Sequence, residues 1–100
     1  MQFELGFTEE AQATLERMEN SPAEAKVLKQ VKKTLGLMET NLRHPSLRTH
    51  EYHSLANPID PKEKVFEAYA QQNTPAAYRV FWVYGPGRGK ITVIALTTHP

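Results

Sequence analysis

Polar and apolar residues alternate from Gln2 to Phe7, so Phe3, Leu5 and Phe7 share one face of a short strand. Thr8 then offers a side-chain oxygen to cap a helix, and Glu9 and Glu10 place carboxylates in its first turn, where the helix dipole favours them. Ala11, Leu15 and Met18 recur at helical spacing, which predicts a first helix over 9–19. Asn20-Ser21-Pro22 breaks it. Ser21-Pro22-Ala23-Glu24 has the form of a capping box with proline at the first helical position. Leu28, Val31, Leu35 and Met38 then share one face of a second helix, which ends near Thr40 or Asn41 because His44-Pro45 cannot continue it.

The second half reads as strands. Leu47 to Tyr52 is a weak one, and Asn57-Pro58-Ile59-Asp60-Pro61 is a loop. Val65 to Tyr69 is a moderate strand. Tyr78-Arg79-Val80-Phe81-Trp82-Val83-Tyr84 carries β-formers on both faces, which predicts a central position. Gly85-Pro86-Gly87-Arg88-Gly89 is a turn, and 91–97 is the last strand. The order β-α-α-β-β-β-β has no βαβ alternation. It predicts an α+β fold, a mainly antiparallel sheet with an αα-hairpin packed on one face. With 100 residues the chain is expected to form a single domain over 1–100.

Charge changes this picture more than composition does. The net charge is +1, yet the first 24 residues hold six acids against Arg17 alone, and the rest is basic by six. The split can give the second helix and the strands a positive face. No cysteine is present, which excludes disulfides, thiol catalysis and zinc–thiolate sites and suits a reducing cytoplasm. The first residues lack the basic and apolar regions of a signal peptide, and no apolar run is long enough for a membrane span. A soluble cytoplasmic protein with no membrane association is expected.

Several motifs suggest chemistry and fail on inspection. Gly85-Pro86-Gly87-Arg88-Gly89-Lys90 lacks the first glycine, the Ser or Thr and the following helix of a phosphate loop. His50-Glu51-Tyr52-His53 is one residue short of the zincin spacing, and on a strand its histidines point to opposite faces, so no metal is expected. No Ser-His-Asp or nucleophile-elbow pattern occurs. Tyr52, Tyr69, Tyr78, Tyr84 and Trp82 can serve as base-stacking platforms or as cross-strand packing.

Three segments together resemble one family. They are the strand–helix–helix start with its Asn41-Leu42-Arg43-His44-Pro45-Ser46-Leu47 junction, the strand Tyr78-Arg79-Val80-Phe81-Trp82, and the terminal Lys90-Ile91-Thr92-Val93-Ile94-Ala95-Leu96-Thr97-Thr98-His99. In order and length they are similar to the RelE/ParE superfamily of bacterial toxins. The resemblance implies a toxin of a type II toxin–antitoxin pair, held inactive by a cognate antitoxin. It implies either a ribosome-dependent mRNA endonuclease that needs no metal or other cofactor, or a ParE-like inhibitor of DNA gyrase. A third alternative is a degenerate, purely antitoxin-binding relative.

Two residues carry over from the nuclease branch. Arg79 matches the arginine of the penultimate strand that contacts the scissile phosphate. His99 matches a histidine that transfers a proton at the end of the last strand in YoeB-like toxins. Glu51 and Glu67 are candidates for the base, and Arg48, Lys64, Arg88 and Lys90 for RNA-phosphate binding. The chemistry suits them: attack by a ribose 2′-OH needs a base, an acid and a cation. The chain departs from RelE in having only Lys64 at the edge of the strand that carries lysines there, and in lacking a basic tail with a tyrosine.

If Tyr84 pairs with Lys90, Arg79 lies opposite Ala95 and about 13 Å along the strand from His99. Arg79 then shares a face with Phe81, Val83, Ile91, Val93 and Ala95, while Val80, Trp82, Ile94 and Leu96 make an equally apolar opposite face. The pattern leaves open which face meets the helices.

Overall fold

The computed structural model describes residues 2–72, 74 and 76–98. Strand β1 (Glu4–Phe7) leads into helix α1 (Glu9–Glu19), a 3-10 turn (Pro22–Glu24) and helix α2 (Ala25–Thr40). A second 3-10 turn (Pro45–Leu47) precedes β2 (His50–Glu51), β3 (Phe66–Tyr69), β4 (Tyr78–Tyr84) and β5 (Lys90–Thr98). The sheet order is β1-β5-β4-β3-β2, with β4 in the centre as its two apolar faces predict. Three pairings are antiparallel, and β1 lies parallel to β5. Among the described residues no helix is long and apolar enough to cross a membrane.

Thr8 caps α1 as its side chain predicts, its oxygen accepting from the Ala11 N–H at 3.2 Å. The expected capping box at the second helix does not form. Ser21 makes no side-chain cap, and Glu24 ends a 3-10 turn. The Glu24 carboxylate has stronger donors than a backbone N–H. Arg17 donates to it at 2.6 Å and the Tyr78 hydroxyl at 3.3 Å, tying α1 and β4 to the start of α2. Tyr78 and Glu24 together raise the affinity of Arg17 for its proton.

The predicted strand over 47–52 contracts to two residues. Leu47 is drawn into the core at 1% exposure, and Arg48 follows in the left-handed region at φ 48°, which interrupts extended backbone.

Helices α1 and α2 cover the sheet face formed by Ala68, Val80, Trp82, Ile91, Val93 and Leu96, against which Ala11, Met18, Val31, Leu35, Met38 and Leu47 pack. The other face carries Phe81, Val83, Ile94 and Val65, packed with Tyr52 and Leu55 of the β2–β3 connection. Arg79 lies on this second face, away from the helices.

Both offsets from the expected register arise in the β4–β5 hairpin. Gly85, Gly87 and Gly89 all adopt positive φ, and the turn they make pairs Tyr84 with Ile91 rather than Lys90. A one-residue slip exchanges faces, so Ile91 and Val93 turn to the helices with Trp82. A bulge then adds a second residue: Trp82 pairs with Val93 but Phe81 with Ala95. Thr8 holds the bulge from outside, its N–H bonding the Val93 carbonyl at 3.0 Å and its hydroxyl the Ile94 carbonyl at 3.3 Å. Arg79 consequently faces Thr97, not Ala95.

The Leu47 side chain anchors the junction between α2 and the sheet edge by burial. Leu47→Ala is expected to cost about 2–5 kcal/mol in denaturant unfolding. A loss below about 1 kcal/mol would show that this junction contributes little to the core.

Candidate functional site

Cross-strand pairing gathers a polar cluster on the face away from the helices. Arg79 stands opposite Tyr69, and His50 opposite Glu67. The guanidinium carbon of Arg79 lies 3.9 Å from the centre of the Tyr69 ring, and that of Arg48 lies 4.9 Å from the same centre. One phenol ring thus meets two cations, each attracted by the negative potential of its faces. Arg79 also donates from Nη1 to the Ala77 carbonyl at 2.9 Å.

Glu67 is the buried acid of the cluster, at 1% exposure. Its Oε1 lies 2.6 Å from His50 Nε2, and its Oε2 lies 3.8 Å from Arg79 Nε. The first contact is within hydrogen-bond distance; the second is an ion pair too long for a hydrogen bond. His50 Nδ1 sits 2.9 Å from the Arg48 carbonyl. A carbonyl oxygen only accepts, so a hydrogen on Nδ1 serves that contact, and Nε2 then faces the carboxylate, where a proton would serve both groups. The His50 side chain is 47% exposed, so the imidazole reaches the surface while its carboxylate partner stays buried.

The structure therefore brings Arg48, Glu67 and Arg79 together from the residues singled out in the sequence. It sets Glu51 beside them on the edge strand but turns it to other partners, Lys64 at 3.7 Å and His53 at 3.5 Å. Lys64 follows Glu51. Arg88 and Lys90 belong to the far hairpin, five strand positions or about 17 Å from Arg79, where Lys90 lies across Gly6. His99 lies outside the described residues; the revised register brings Thr97, two residues before it, opposite Arg79.

His50 was missed as a site residue in its own right, since its local sequence suggested only a metal motif. His50 and His53 instead turn to different carboxylates, and no group of three metal-ligating side chains forms among the described residues.

A cavity of about 550 Å³ opens on the helical side. Its walls include Phe3, Phe66, Trp82 and Tyr84 from the sheet and Arg43 and Arg48 from the α2–β2 connection. Arg48 thus belongs to both the cavity and the polar cluster.

No family model matches the chain, and no curated protein matches it in sequence. Solved structures do match it in fold. The YoeB/ParE toxin from Agrobacterium tumefaciens superposes with a TM-score of 0.70 at 8% identity, over 98% of this chain and 100% of that one. The YoeB dimer from Staphylococcus aureus gives 0.63 at 10% identity over 100% of both chains. The archaeal RelE-RelB complex from Pyrococcus horikoshii OT3 gives 0.64 at 12% identity, over 98% of this chain and 96% of that one. The chain has the α+β fold of RelE/YoeB-type toxins, two helices on a five-stranded mixed sheet.

Glu67→Ala leaves the Arg79 guanidinium, whose side chain is only 14% exposed, without its counter-charge. It is expected to destabilise the protein by about 3 kcal/mol in denaturant unfolding. Glu51→Ala removes only surface pairs and is expected to change stability by less than about 1 kcal/mol. Equal effects would show that the buried carboxylate does not organise the cluster.

Proposed function

We propose that the chain is the toxin of a type II toxin–antitoxin pair and acts as a ribosome-dependent mRNA endonuclease, with a cognate antitoxin as its protein partner. The observation that carries the nuclease reading is the pair of guanidiniums over the Tyr69 ring beside the close His50–Glu67 pair. Two cations and a transferable proton are what phosphodiester cleavage by a neighbouring hydroxyl demands. The structural likeness to a YoeB/ParE toxin and to RelE in complex with RelB supports the toxin reading and the antitoxin partner.

In the proposed reaction the ribose 2′-OH loses its proton to a base and its oxygen bonds to the adjacent phosphorus. The bond from phosphorus to the 5′ oxygen breaks, and a proton is delivered to that leaving oxygen. The products are a 2′,3′-cyclic phosphate and a free 5′-OH. Arg79 stabilises the charge of the phosphorane. It has five N–H donors, of which the Ala77 carbonyl takes one. Arg48 adds a second cation at the exposed edge. The His50–Glu67 pair supplies the proton for the leaving oxygen. His99 is the candidate for the base, since Glu51 follows His50 on β2 and so faces the other side of the sheet, and neither metal nor other cofactor is required by this scheme.

Expression without the partner is expected to arrest growth and to produce new 5′ ends within translated messages. Arg79→Ala is expected to relieve the arrest and lower cleavage by about 10²-fold or more. Arg79→Lys keeps the charge beside Glu67 but loses the planar fork, and is expected to lower cleavage nearly as far. Normal growth with abundant soluble protein contradicts the toxin reading. Arrest with intact messages and a DNA-damage response points to gyrase instead.

A further inference from the structure

The cavity on the helical side has a chemistry that the cleavage scheme leaves unused. Phe66 and Trp82 stack with ring centres 4.8 Å apart, and Tyr84 meets both edge-on at 5.5 and 4.9 Å. Tyr84 is nevertheless 53% exposed, an aromatic surface left open at the mouth. The indole N–H of Trp82 is buried and has no acceptor among the described residues. Arg43 and Arg48 stand at the wall, neither in an ion pair among the described residues, and no acid lines the cavity. His44 is occupied: its Nδ1 accepts the Ser46 N–H at 3.1 Å.

An occupant that suits the accessible groups is planar, to lie against the open face of Tyr84, and anionic, to pair with Arg43 and Arg48. The volume of about 550 Å³ lies within the range of small-molecule sites. We infer that the cavity is a nucleotide subsite, taking one base of a single-stranded RNA among Phe66, Trp82 and Tyr84 and its phosphate on Arg43 and Arg48. Unstacked RNA bases are recognised in this way, on aromatic side chains with arginines along the backbone. Continuity favours RNA over an acidic protein segment. Arg48 lines the cavity and also lies over Tyr69 in the polar cluster, so one strand can pass from the cluster round the sheet edge into the cavity. The inference rests on the nuclease reading for its choice of RNA and adds to it a site that selects the nucleotide beside the cut.

Trp82 is the single tryptophan of the chain, so its emission reports on the cavity alone. Titration with trinucleotides carrying 2′-O-methyl groups, which cannot be cleaved, is expected to give a saturable emission change that differs between bases. Arg43→Ala and Tyr84→Ala alter exposed side chains. Each is expected to weaken binding by about tenfold while leaving the circular dichroism unchanged. Lys26→Ala, near the start of α2 and about 21 Å along the helix from Thr40 at the cavity wall, is expected to bind trinucleotides within about twofold of the parent. The inference is overturned if no trinucleotide gives a saturable change, or if both cavity variants bind as the parent does. It is equally overturned if a glutamate-rich peptide containing phenylalanine binds there and trinucleotides do not, which would make the cavity a protein-docking site. Saturable binding that both cavity variants weaken, in a protein that cuts no message on ribosomes, upholds the subsite and removes the nuclease reading alone.

Discussion

A carboxylate taken out of water needs partners, and Glu67 organises its surroundings by finding them. At 1% exposure it lies beneath the sheet surface with His50 on one oxygen and Arg79 near the other. Burial makes an unpaired charge costly, so the carboxylate holds an imidazole and a guanidinium at fixed positions that a solvated side chain could not. Tyr69, beside it on β3, supplies the platform over which Arg79 and Arg48 lie. The candidate chemistry is therefore built around one acid that stays below the surface.

The rest of the fold keeps that face of the sheet available. Helices α1 and α2 use the opposite face, and the apolar part of the second face is closed by Tyr52 and Leu55 from the β2–β3 connection. Among the described residues, that connection leaves uncovered the end that carries Arg79, Tyr69 and His50, with His50 reaching furthest to the surface. The bulge at Ile94 sets the position of the last strand against that end, since it advances β5 by one residue and brings Thr97 opposite Arg79. The packing of one face and the polar cluster of the other thus share a strand, β4, whose alternate residues serve the two purposes.

Local pattern made the elements legible. Thr8 and the spacing of Ala11, Leu15 and Met18 define α1, and the β-branched and aromatic run of Tyr78–Tyr84 marks the central strand. Pairing was less legible, because it depends on events between distant residues. The slip at the glycine turn and the bulge moved Arg79 by two positions along its partner. Glu24 left its capping role for Arg17 and Tyr78, the second of which lies 54 residues away in sequence. His50 could be seen as a site residue only once β2 was known to pair with β3, which sets it on Glu67. Arg79 was singled out through family resemblance, and Tyr69 joins its cluster through its cross-strand position.

The central claim is that the His50–Glu67 pair delivers a proton to the leaving 5′ oxygen, and a sulfur substitution tests it most directly. A message with a single bridging sulfur at that 5′ position has a leaving group that departs without protonation. On programmed ribosomes, His50→Ala is predicted to slow cleavage of the oxygen message by about 10²-fold or more, yet to cut the sulfur message within a few-fold of the parent protein. Equal slowing of both messages, or of neither, would contradict the assignment.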